Sequence, residues 1–149
     1  MPTATYEIDT HYHLDEIKSV LIDFRNYPNF LSSIENVDIN LSNNPIWEVV
    51  FVTHLIRRMQ YELRLQLEEF PEYSRLHWTL LEGVFQSNTG SWKLTPTSNG
   101  TNITYTISIT LETHLPNPIA RSLIRVSMPN VVQEVLDEIE RRRGTSSPK

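Results

Sequence analysis

The sequence predicts an α+β domain in which a seven-stranded antiparallel sheet curls around one long C-terminal helix. Three observations carry that prediction. Apolar residues alternate with polar ones in segment after segment between positions 37 and 111, which is the period of a strand. Short Asn-, Gly- and Pro-containing stretches separate most of these segments, and strands joined so closely pair antiparallel. Beyond position 117 the period becomes that of a helix, and this helix is the only element large enough to cover the sheet's apolar face.

Each element has its own signature. Ala4, Tyr6 and Ile8 lie opposite Thr5, Glu7 and Asp9, as on a half-buried strand. Ile17, Val20, Leu21 and Phe24 then fall at i, i+3, i+4 and i+7, one stripe of a helix of about three turns. Asp15 and Glu16 occupy its first turn, where the positive end of the helix dipole favours them. Asn26-Tyr27-Pro28 closes that helix, and Pro28 opens a second, short one through Leu31. Val37, Ile39 and Leu41 alternate up to a turn at Ser42-Asn43-Asn44-Pro45. Trp47, Val49, Phe51, Thr53 and Leu55 share one face of the next strand.

The strand that follows is the clearest. Met59, Tyr61, Leu63, Leu65 and Leu67 alternate with Arg58, Gln60, Glu62, Arg64, Gln66 and Glu68. A slip of one residue would expose five apolar side chains and bury two arginines, so the first set faces in. Phe70-Pro71-Glu72-Tyr73 breaks this strand, and Leu76, Trp78 and Leu80 face in from the next. Gly83 and Asn88-Thr89-Gly90 allow bends before Trp92 and Leu94. Ser98-Asn99-Gly100 supplies the Asn-Gly pair of a two-residue hairpin turn, both residues tolerating positive φ. Ile103, Tyr105, Ile107, Ile109 and Leu111 form the last inward row.

Asn117 caps the final helix with Pro118 at its first position, and Gly144 ends it after Arg143. Its apolar set includes Ile119, Leu123, Val126, Val131, Val135, Leu136 and Ile139. Pro129 deprives the carbonyl of Arg125 of its N–H partner, so a kink is expected there. Residues 1–144 thus read as a single domain and 145–149 as a flexible tail.

Composition excludes several classes of function. With 39% hydrophobic and 21% charged residues among 149, the chain is globular rather than disordered. Thirteen Lys and Arg against 18 Asp and Glu give a net charge of −5, which repels DNA on average. The absence of cysteine removes disulfides, thiolate metal sites and a Cys nucleophile, and fits a cytoplasmic setting. No run of 18 apolar residues is present to span a membrane, and the N-terminus lacks the basic start and apolar stretch of a signal peptide. There is no phosphate-binding glycine loop and no Gly-x-Ser-x-Gly elbow, so no cofactor is expected.

The segment Leu21-Ile22-Asp23-Phe24-Arg25-Asn26-Tyr27-Pro28-Asn29-Phe30-Leu31 carries an Asp, Tyr-Pro and Phe pattern between the two short helices. Glu82-Gly83-Val84-Phe85 carries Gly-x-Phe, and Thr89-Gly90-Ser91-Trp92-Lys93-Leu94-Thr95-Pro96 carries Gly-x-Trp. Leu115-Pro116-Asn117-Pro118-Ile119-Ala120 leads into the last helix. In these motifs and in element order, residues 3 to 142 resemble the START-like (SRPBCC) superfamily. The chain is most similar to its polyketide cyclase/dehydrase and coenzyme-Q-binding branch, which also holds ribosome-association toxins. The resemblance implies a helix-grip fold, and that fold hosts lipid carriers, receptors and a few enzymes.

Candidate functional residues follow from the inward rows. Tyr61, Trp78, Trp92 and Tyr105, with Phe51 and Met128, can line a pocket for a hydrophobic small molecule, or can be plain core. Glu82 shares the parity of Leu76, Trp78 and Leu80, so a continuing strand would turn its carboxylate inward as an acid or base. A bend at Gly83 would instead leave it at the solvated rim, the favoured reading, since a carboxylate is rarely buried unpaired. His11-Tyr12-His13 offers two imidazoles but no third ligand at metal spacing, and reads as a surface turn. Arg141-Arg142-Arg143 reads as a basic last turn offsetting the helix dipole, with a contact to ribosomal RNA or an acidic membrane as the lesser reading. The expectation is non-catalytic binding or carriage of a lipid, isoprenoid quinone or polyketide-like aromatic. The competing classes are an aromatase/cyclase and a ribosome-interacting module.

Overall fold

The structure, a computed structural model, describes residues 3–54, 58–83, 85–111 and 117–146, the side chains at 85, 111, 117–126, 145 and 146 excepted. The alternating segments become β1 (Thr3–Thr10), β2 (Ile34–Asn43), β3 (Ile46–His54), β4 (Arg58–Glu69), β5 (Ser74–Gly83), β6 (Phe85–Pro96) and β7 (Thr101–Leu111). The helical segments become α1 (Leu14–Leu21), a 3-10 turn (Phe24–Asn26), α2 (Tyr27–Phe30) and α3 (Asn117–Ser146). One sheet holds all seven strands in the order β1-β7-β6-β5-β4-β3-β2, each pair antiparallel. β2 to β7 follow one another as hairpins, and only β1 returns across the chain to pair with β7.

In β4 the arginine parity points outward: Met59, Leu63, Leu65 and Leu67 are buried, and Arg58 and Arg64 are exposed. The inner face of the sheet and the apolar face of α3 share one core with α1, Phe24 and Tyr27. From α3 the buried apolar positions among the described side chains are Met128, Val132, Val135, Leu136 and Ile139, a stripe at helical spacing.

Four sequence expectations are corrected. The Ser98-Asn99-Gly100 turn is not a two-residue hairpin with positive φ: Pro96 pairs with Thr101, and Thr97 N–H donates to the Gly100 carbonyl at 2.9 Å across a four-residue loop. Gly100 is required for another reason, since a Cβ there would lie 2.1 Å from the Thr10 carbonyl oxygen where the chain leaves β1. Asn88-Thr89-Gly90 does not bend but runs inside β6. Gly144 does not end the last helix, which continues to Ser146 and takes in the first two residues of the expected tail. Leu41 does not share the inward row of Ile39, because Asn40 is bulged out of the β2–β3 ladder and Leu41 lands opposite Glu48, exposed. Leu55, expected on the inward row of β3, lies outside the described residues.

Candidate functional site

Curling the sheet under α3 leaves a cavity of about 140 Å³ between the strands and the helix. Phe51 and Thr53 from β3, Tyr61 and Leu63 from β4, Trp78 from β5, Asn88 and Trp92 from β6, and Tyr105 from β7 wall it, and Tyr27 of α2 and Val131 and Val135 of α3 close it. The rings are mutually ordered. Trp92 stacks on Tyr105 with centroids 4.1 Å apart and planes 13° from parallel, and Tyr27 stacks on Phe51 at 6.0 Å. Trp78 lies 6.3 Å from Tyr105 and Phe51 lies 5.9 Å from Tyr61.

The place of Trp78 is made by glycine. A Cβ on Gly90 would sit 2.3 Å from Trp78 Cζ2 and 2.5 Å from the Thr106 carbonyl oxygen, so only glycine lets the indole lie against β6. From there Trp78 Nε1 donates to Asn88 Oδ1 at 3.0 Å, with Asn88 only 3% exposed. Gly83, whose φ of 136° suits glycine alone, does the same for Tyr61: a Cβ there would lie 2.5 Å from Tyr61 Cβ.

Three phenols face this space and all are held neutral. The Tyr27 hydroxyl donates to the Leu21 carbonyl, and burial pushes its pKa far above the usual phenol value. Burial, and then the nearby Tyr61, raise Tyr105 in the same way. Burial pushes Tyr61 up to about 12, opposed by the neighbouring Thr53 hydroxyl. Thr53 Oγ1 itself is buried without a hydrogen bond of good geometry among the described residues. No carboxylate, imidazole, ammonium or guanidinium among the described residues lines the cavity. Near neutral pH the phenols are therefore hydrogen-bonding groups rather than bases.

Of the expected site residues, Phe51, Tyr61, Trp78, Trp92 and Tyr105 come together on this one cavity. Met128 does not. It is 2% exposed and turns toward β1, where with Pro129 and Thr3 to Tyr6 it borders a separate recess. Glu82 is exposed at the end of β5. Its parity with Leu80 is broken by a bulge at Leu81: Leu80 pairs with Leu63, but Glu82 pairs with outward-facing Glu62. His11 and His13 are exposed, and the Glu16 carboxylate accepts from the His13 backbone N–H at 3.1 Å as the helix begins. Among the described residues no cluster of three His, Asp or Glu could hold a metal ion.

Tyr27 and Asn88 line the cavity without having been singled out from sequence. Tyr27 is hidden by its neighbour Pro28, which marks a helix boundary first. Asn88 was legible, because it keeps the parity of Gly90, Trp92 and Leu94, but the Asn-Thr-Gly string reads first as a bend.

The three arginines near the end of α3 also need correction. They do more than offset a dipole: Arg142 and Arg143 clamp the helix to the rest of the chain, while Arg141 braces Glu138 within the helix. Arg141 grips Glu138 with contacts of 2.8 and 2.6 Å, and Arg142 bridges Glu138 at 2.8 Å and Asp23 at 2.7 Å. Arg143 holds Glu16 of α1 by two hydrogen bonds of 2.6 and 2.7 Å, and its guanidinium lies 4.7 Å from the Tyr12 ring centroid. Arg143 draws the Glu16 carboxyl down to about 2, and Arg141 and Arg142 do the same to Glu138 against the opposing effect of burial.

The family model for polyketide cyclase/dehydrase and lipid transport matches residues 12–136. Among solved structures, a START superfamily protein from Mycobacterium smegmatis superposes with a TM-score of 0.79 at 14% identity, covering 93% of this chain and 97% of the other. A STAR-related lipid transfer protein from Xanthomonas axonopodis gives 0.81 at 12% identity, over 93% of this chain and 85% of the other. The ZhuI aromatase/cyclase from Streptomyces sp. R1128 gives 0.76 at 18% identity, over 94% of each chain. At such identities the likeness is one of fold. No curated protein matches the chain by sequence. No helix among the described residues is long and apolar enough to cross a membrane.

Proposed function

The chain belongs to the polyketide cyclase/dehydrase and lipid transport family, and within it we propose that this protein binds and carries a hydrophobic small molecule rather than transforming one. One observation carries the reading: a cavity between sheet and helix walled by Phe51, Tyr61, Trp78, Trp92 and Tyr105, with no ionisable group other than phenols among its described lining residues. Acid–base chemistry needs a group whose pKa lies near the working pH. Burial moves the phenols away from it. What remains is shape, apolar surface and a few hydrogen-bonding groups, which is what a carrier needs.

The volume bounds the ligand. About 140 Å³ is close to the roughly 150 Å³ that holds one benzene-sized ring in an apolar cavity. A lipid, quinone or polyketide-like aromatic would put one ring or chain end there and extend beyond α3. Titration of the purified protein with such ligands should quench or shift the emission of Trp78 and Trp92 saturably, and native mass spectrometry should find a retained small molecule. If neither occurs with any neutral apolar ligand, the carrier reading fails.

A further inference from the structure

Inside an otherwise apolar cavity, one amide is held in a fixed orientation. The indole N–H can only donate, so the atom of Asn88 that faces Trp78 Nε1 at 3.0 Å must be its carbonyl oxygen. Nδ2, with two hydrogens, is thereby turned away from Trp78. It has no hydrogen-bond partner among the described residues, although Asn88 is only 3% exposed and lines the cavity. Tyr105, two inward positions along on the neighbouring strand, brings a second hydroxyl to the same wall. The fold goes to some length to hold this corner: Gly90 is hollowed out so that Trp78 reaches Asn88.

Resting on the carrier reading, we propose that Asn88 is a specificity-determining residue that reads a neutral hydrogen-bond acceptor on the ligand. The ligand class is an apolar, ring-bearing molecule that carries a neutral carbonyl oxygen. Nδ2 donates to that oxygen, Tyr105 offers a second donor, and Trp78 fixes the amide so that it cannot rotate to present its own oxygen. An anion is disfavoured in the same place. No cation among the described residues lines the cavity, and an unpaired carboxylate in such surroundings loses far more hydration than two neutral donors restore.

Three single-ring probes of similar shape separate the possibilities: ethylbenzene, acetophenone and benzoate, titrated by calorimetry into wild type, Asn88→Leu and Asn88→Asp. Asn88→Asp keeps an oxygen for Trp78 Nε1 while removing the amide donor, so it tests the idea even if Asn88→Leu perturbs the fold. In wild type, acetophenone should bind about tenfold tighter than ethylbenzene, the worth of one well-placed hydrogen bond, and benzoate should not bind measurably. Both variants should lose the preference for acetophenone while still binding ethylbenzene. If acetophenone and ethylbenzene bind wild type equally, if both variants keep the preference, or if benzoate binds as well as acetophenone, the inference is overturned and the carrier reading stands. If none of the three binds wild type, the carrier reading falls and the inference with it.

Discussion

At Arg142 and Arg143 the last helix meets the rest of the protein through charge, whereas at Val131 and Val135 it faces a space with none among its described walls. The first region is tight: Glu138 is 6% exposed with two arginines on it, and Ile139 beside it is 1% exposed. The second is loose, with about 140 Å³ unfilled. The contrast shows how one helix can both hold a fold shut and roof a cavity. Apolar packing and paired charges at the end of α3 fix it to α1 and to the turn at Asp23, which leaves the sheet-facing middle free to be imperfectly filled. A core packed everywhere to ordinary density would be more stable and would bind nothing.

The largest expected effect tests that division directly. Ile139→Ala removes a fully buried side chain from the tight end and should cost about 2–5 kcal/mol. In a chain of this size that lowers Tm by roughly 5–20 °C. Ile107→Ala borders space that is already empty, so it should cost clearly less and instead shift binding toward bulkier ligands. Thermal melts of the two variants read the difference. Equal losses would mean that the middle of the helix carries as much stability as its end.

The two regions should also fail at opposite extremes of pH. Arginine holds Glu16 and Glu138 down to about 2 from an ordinary 4.5. A lowered folded pKa adds stability that is complete above the unfolded value and lost as protons bind, so the clamp weakens as pH falls from about 4.5 toward 2. The cavity phenols have raised pKa values, Tyr61 from 10 to about 12. Their contribution is complete below the unfolded value and is lost as pH rises above about 10. Glu16→Gln should flatten the acid limb of a stability–pH curve and leave the alkaline limb alone. Tyr105→Phe should do the reverse. A variant that moves both limbs together would undo the separation.

Gly90→Ala sharpens the comparison from the cavity side. Its methyl group must displace the Trp78 indole or the Thr106 carbonyl, both closer than 3 Å to the new atom. The overpacking should cost about 1–3 kcal/mol. It should also change the near-ultraviolet circular dichroism of the indole and weaken ligand binding, with little effect on the acid limb.

The tight region was the less legible of the two. Alternation in β3, β4 and β7 placed Phe51, Tyr61 and Tyr105 inward, because a period of two is a local property. The clamp joins residues far apart in sequence, Glu16 with Arg143 and Asp23 with Arg142, and no periodicity reports such pairs. The bulges at Asn40 and Leu81 were equally hidden. A single inserted residue flips every position after it, and nothing in the composition of either strand marks the insertion. Glu82 became a catalytic candidate only because the bulge before it cannot be seen in the sequence. Glycine was visible but its purpose was not: Gly90 and Gly100 suggested turns, and both serve close approach instead.

The smallest expected effect concerns the junction between the two regions. Pro129 lies in α3 one residue after buried Met128, between the anchored end and the stretch that begins at Asn117. Having no N–H, it cannot bond the carbonyl of Arg125, and its ring crowds that carbonyl, a cost of about 3 kcal/mol in a regular helix. Such a cost is tolerated where it serves the fit of the helix to a curled sheet, or where it separates a fixed arm from a moving one. Pro129→Ala distinguishes the two by stopped-flow ligand binding. If the proline is a hinge, restoring the hydrogen bond stiffens the roof, and association and dissociation should both slow severalfold while affinity changes little, since a gate alters the barrier more than the end states. If the proline only shapes the helix, affinity should fall without a matched slowing of the two rates, because the straightened helix closes on a cavity of different form. The hinge reading requires the anchored end to stay fixed while the arm moves, so Glu16→Gln in the same background should leave the rates unchanged. If loosening the clamp alters the rates as much as Pro129→Ala does, the helix moves as one body and its two ends are not independent.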